Sequence, residues 1–108
     1  MQMNNWVDYD NGRSIGTSGA EGGVILRDEE HKNGARITLK RGSNYISVSC
    51  NIYGRMDHTR FFGTLNEAQR EYISMRAALA EMIETTLTPE AKDIKVWEAI
   101  SQFVRRFP

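Results

Sequence analysis

The sequence predicts an α+β domain: an antiparallel sheet of three to five strands over residues ~5–63, then two helices over residues ~65–86 and ~89–106 that cover one face. Three observations carry this reading. Apolar residues alternate with a period of two before Gly63 and recur every three or four positions after it. All nine glycines lie at or before Gly63. Helix-start chemistry then stands at Thr64 and again at Thr88-Pro89. At 108 residues the chain is one domain, 1–108.

Val24-Ile25-Leu26 opens the first clear strand. "ARITLK" alternates Ala35, Ile37 and Leu39 on one face with Arg36, Thr38 and Lys40 on the other. "YISVSCNIY" places Ile46, Val48, Cys50 and Ile52 inward and Tyr45, Ser47, Ser49, Asn51 and Tyr53 outward. Strict alternation with one apolar side is the pattern of a half-buried strand. Asn33-Gly34 and "KRGSN" supply hairpin turns, "HTRFF" reads as a further strand, and Gly54 marks a bend before it.

"TLNE" at Thr64 reads as a capping box, in which the Thr64 hydroxyl accepts from the Glu67 amide. Leu65, Ala68, Tyr72, Met75, Leu79 and Met82 form one apolar stripe, which fixes a helix ending near Thr86. A second helix starts with Thr88 as N-cap and Pro89 in its first turn. Its apolar face reads as Ile94, Trp97, Ile100, Val104 and Phe107.

Fourteen basic and fourteen acidic side chains cancel, so no global field draws the chain to nucleic acid or an anionic membrane. One cysteine allows no internal disulfide, and "MQMNNW" lacks the pattern of a secretory signal, so the expected setting is the cytoplasm. The longest apolar run, "VIL", is far short of the roughly 20 residues of a membrane span.

Four segments carry candidate chemistry. "GTSGAEGG" resembles a phosphate cradle in composition only. Its glycines precede a strand rather than a helix, and no Lys-Ser or Lys-Thr follows, so it reads as a turn between two strands. "DEEH" and "DH" supply the candidate metal or acid–base group, Asp28, Glu30, His31 and His58. If Val24 and Leu26 face the core, Asp28 and Glu30 continue that inward side, and Glu29 and His31 with His58 form the other possible set. Cys50, among inward apolar residues, reads as a buried thiol rather than a nucleophile. "YGRMDHTRFF" interleaves arginine with aromatic residues, as interfaces do. Its candidate binding residues are Tyr53, Arg55, Arg60 and Phe61. With Tyr45, Arg36 and Lys40 on the open side, the same segment suits single-stranded RNA.

"GAEGGVILRDEEH", "GARITL" and "IYGRMDHTRFF" together resemble a group of short bacterial proteins of uncharacterised function. The resemblance spans about Trp6 to Met82 and implies one compact unit, without an activity. The functional expectation is a small cytoplasmic, non-catalytic binding module that works through protein–protein contact, alone or as a homodimer, with no cofactor. The alternatives are a metal-dependent or acid–base enzyme built on the Asp28 group and a single-stranded RNA binder.

Overall fold

The computed structural model describes residues 5–18, 22–88 and 90–108. Five strands form one antiparallel sheet in chain order: β1 (Trp6–Asp8), β2 (Val24–His31), β3 (Ala35–Arg41), β4 (Ile46–Ile52) and β5 (Met56–Phe62). Each strand pairs with its sequence neighbour, so short hairpins connect β2 to β5 and no crossover is needed. Two helices follow, α1 (Leu65–Thr86) and α2 (Asp93–Arg106). This is the α+β architecture that the change of period announces.

The turns take the geometry their residues allow. Gly34 (φ 96°) closes the β2–β3 hairpin, its amide bonded to the His31 carbonyl, and Gly54 (φ 76°) turns β4 into β5. The described ends of the glycine-rich stretch run side by side. Ser18 bridges to Val24, the Gly16 amide bonds the Ile25 carbonyl, and the Ile25 amide bonds the Thr17 carbonyl. Its tip, residues 19–21, lies outside the described residues.

One face of the sheet carries the core. Ala35, Ile37 and Leu39 of β3 and Val48, Cys50 and Ile52 of β4 are buried beneath Ala68, Tyr72, Met75, Leu79, Met82 and Ile83 of α1. Full burial of one such aliphatic side chain contributes about 1.5–3 kcal/mol. Thr64 caps α1 as expected, accepting from the Glu67 amide at 3.2 Å.

Three details differ from the sequence expectation. β1 contributes a three-residue edge strand, too short to show alternation. A bulge in β2 between Ile25 and Arg27 shifts the register against β3. It inserts one residue and so reverses the facing of everything after it. Ile25 therefore shares a face with Lys40, while Glu29 and His31, rather than Asp28 and Glu30, lie on the helix side.

The third difference concerns α2. It begins at Asp93, not near Pro89, after a turn in which the Ala91 amide bonds the Thr88 carbonyl; Pro89 itself is outside the described residues. Its buried side chains are Val96, Ile100 and Phe103, with Phe107 just beyond, whereas Ile94 and Trp97 are exposed. Of the expected face, Ile100 and Phe107 are buried and Val104 packs against the core, while Val96 and Phe103 take the buried places expected of Ile94 and Trp97. Among the described residues no helix is long and apolar enough to cross a membrane.

Candidate functional site

The register sorts every candidate residue onto one of two faces. On the helix side, Glu29 accepts from the Tyr72 hydroxyl at 2.7 Å, from Arg76 at 2.9 Å and from Arg27 at 3.3 Å. Burial and the bond to Glu29 push the Tyr72 phenol far above its ordinary value. His31 is buried edge-on against Trp6, with ring centroids 5.1 Å apart. Its Nδ1 accepts the Asn33 amide at 3.1 Å, which leaves the ring hydrogen on Nε2 to be donated to Glu84 at 2.7 Å. That bond, with a second from Asn5, holds the Glu84 carboxyl below the usual carboxylate range.

On the opposite face, Asp28 is wholly buried although it points away from the helices. A strap made of the short 3-10 turn Tyr9–Gly12 and the residues after it lies over this corner. Ser14 donates to Asp28 at 2.8 Å, Thr38 at 3.0 Å, and Arg36 grips both carboxylate oxygens at 2.9 and 2.7 Å. The Tyr9 ring stacks on the Arg36 guanidinium at 3.6 Å. The hydrogen bonds to Asp28 raise the pKa of Arg36. Every lone pair has a donor, so Asp28 is a structural carboxylate.

The proposed metal group therefore does not assemble. Asp28 and Glu30 lie on the uncovered face and His31 and His58 on the helix face. The two histidines are also three strand spacings apart, about 14 Å. His58 donates instead to the Phe107 carbonyl. Among the described residues no three His, Cys, Asp or Glu side chains gather where they would hold a metal ion.

The four binding candidates are also divided. Phe61 stands 68% exposed on the uncovered face, and Tyr53 is exposed beyond its far end, its hydroxyl donating to Glu30 at 2.8 Å. Burial of that hydroxyl, reinforced by Glu30, pushes it up to about 12. Arg60 is on the helix side, bonded to Glu71 at 2.6 Å and to the Pro108 carbonyl at 3.1 Å. Arg55 in the β4–β5 turn pairs with Asp93 of α2 at 3.8 Å. Both arginines tie helices to the sheet. Strand alternation separates Arg60 from Phe61, and that signal is already present in the sequence.

What remains is a continuous surface over β3, β4 and β5. Its register gives three rows: Ile25–Lys40–Ser47–Phe61, Asp28–Thr38–Ser49–Thr59 and Glu30–Arg36–Asn51–Asp57. Apart from Asp28 and Glu30, they line a shallow concavity of about 410 Å³, walled at one end by Tyr45 and Phe61, whose rings meet edge to face at 6.1 Å. Tyr45 is seated against Gly42 and Gly23, where any Cβ would fall within 2.6 Å of it. Ser49 and Thr59 share a hydrogen bond of 2.9 Å in the floor. Lys40 and Asp57 form no ion pair among the described residues. The Asn51 amide and the Thr59 hydroxyl belong to this face, and the sequence reading did not single them out for function; Asp57 of the "DH" pair lies here too, on the opposite side from His58. The concavity is within the size range of ligand sites, about 300–1,000 Å³.

No protein-family model, no curated protein and no solved structure matches this chain.

Proposed function

We propose that the protein is a non-catalytic binding module whose recognition surface is the uncovered face of β3–β5. The observation that supports this is the meeting, on one concave surface, of an exposed aromatic ring with hydroxyl and amide groups and two charged groups that form no ion pair among the described residues. The other polar clusters are internally satisfied: Asp28 holds Arg36, Glu29 holds Arg76, and Glu84 holds His31. A cytoplasmic setting goes with this reading and rests on the lone cysteine, which is buried. The RNA alternative loses support, because Arg55 and Arg60 are engaged on the helix side and Arg36 is neutralised by Asp28.

The test is a photo-crosslinking amino acid placed at Phe61 or, as control, at Ile73, which is exposed on α1. After irradiation in host extract, position 61 gives a defined adduct and position 73 does not. Equal adducts from both positions, or none from 61, remove the reading.

A second reading, contact with a protein partner or a second copy of the chain, is favoured by α2. Ile94 and Trp97 are 64% and 50% exposed on the helix flank that the core does not use. Sedimentation velocity decides whether this flank mediates self-association. A dimer that Trp97→Glu dissolves supports it, and a monomer at all concentrations contradicts it.

A further inference from the structure

We infer that the ligand of the uncovered face is a neutral oligosaccharide lying along β3–β5, an inference that rests on the binding-module reading above. Three properties of the surface select this class.

Size comes first. Three strands at about 4.8 Å and seven residues at about 3.4 Å give a face of about 300 Å², against about 800 Å² per partner in a standard protein interface. The concavity is thus matched to a single narrow chain rather than to a globular surface. An extended peptide would have to find its backbone partners at a strand edge, because the face of a sheet offers side chains only.

Charge is the second. Polyanionic strands are held by clustered Lys and Arg that displace counterions. Here Arg36 is committed to Asp28, and the remaining pair, Lys40 and Asp57, is of opposite sign. The surface has no net attraction for a phosphate backbone.

Third, the chemistry of the lining is that of a sugar's complement. A pyranose ring offers a patch of axial C–H bonds on its flat side and a rim of hydroxyls that both donate and accept. The electron-rich face of Phe61, braced by Tyr45, suits the C–H patch. Ser49, Thr59 and Asn51 donate and accept as the hydroxyl rim requires, and Lys40 and Asp57 strengthen bonds to it through their charge.

Calorimetric titration with cellohexaose, xylohexaose, maltohexaose and chitohexaose tests the inference, with the contact surface mapped by amide resonance shifts. At least one sugar binds and shifts the amides of β4 and β5 around Asn51, Thr59 and Phe61. Phe61→Ala and Asn51→Ala, both surface changes that leave the core intact, each weaken that binding about tenfold or more, and Ile73→Ala does not. Affinity is unchanged between about 50 and 200 mM salt, where a phosphate-binding protein loses orders of magnitude. If none of the four sugars binds, or if binding falls steeply with salt, the inference is overturned. A crosslinked RNA or protein at position 61 without sugar binding overturns the saccharide assignment while leaving the face as the recognition surface. Absence of any adduct at 61 removes both.

Discussion

Asp28 and Glu29 are consecutive in the chain and place their carboxylates on opposite faces of the sheet, each in its own arginine grip: Arg36 at 2.7 Å and Arg76 at 2.9 Å. The bulge at Ile25–Arg27 sets which of them faces the helices. Asp28 ties the strap to the uncovered face, and Glu29 ties α1 to β2 on the other.

Asp28→Ala leaves Arg36 and Thr38 without their common acceptor beneath the strap. Losing one partner of a buried pair costs about 3–5 kcal/mol, and the lower end applies because Arg36 is partly solvated. Urea unfolding should show a loss of about 3 kcal/mol. Asp28→Leu with Arg36→Met should recover part of it, since no charge is then stranded. A loss under about 1 kcal/mol for the single change would contradict the assignment.

Tyr72→Phe removes one donor from Glu29 but leaves Arg76 and Arg27 in place. A hydrogen bond to a charged group is worth about 1.5–3 kcal/mol, and the variant should lose about that much. The folded protein holds this phenol neutral, so its stabilising effect is complete below the ordinary tyrosine range and declines as pH rises above it. Stability measured between about pH 9 and 11 should therefore fall less steeply in Tyr72→Phe than in the parent.

The His31–Glu84 contact acts at the other end of the pH scale. The Glu84 carboxyl is lowered by His31 and Asn5, so its contribution is present above the ordinary carboxylate range and is lost as pH falls through and below it. Glu84→Gln should shallow that acid limb in urea midpoints measured against pH. An unchanged limb would show that the contact does not discriminate between protonation states.

Cys50 is fully buried beneath α1, and burial pushes its thiol up to about 12. A disulfide reagent at about pH 8 should find no reactive thiol in the native protein and one per chain after unfolding. Rapid native labelling would mean that the β4 core face opens.

Much of this architecture is legible in the sequence, and the exceptions have physical causes. The faces of β3 and β4 follow from alternation, because their inward residues are all apolar and small enough to pack under one helix. α1 follows from its stripe and the Thr64 cap. The facing of β2 does not, because a bulge leaves no mark in the letters "VILRDEEH". The buried flank of α2 is only partly legible for a different reason: Ile100, Val104 and Phe107 follow from the period, but Val96–Phe103 and Ile94–Trp97 are both apolar neighbours of that stripe, and only docking chooses between them. The strap over Asp28 was equally hidden. It depends on left-handed backbone at Asp10 and Asn11 (φ 50° and 56°), a conformation whose cost is accepted only where the surrounding contacts fix it.

The central claim is that the β3–β5 face does the binding, and the direct measurement is native mass spectrometry of protein purified from its host with that face blocked. A Cys50→Ala background carrying Thr59→Cys, alkylated with a bulky maleimide, should run as the free chain. The same label on Ser74→Cys, exposed on α1, should leave the bound species intact. Retention of ligand by the Thr59-labelled protein, or the absence of any bound species in the unlabelled one, would contradict the account.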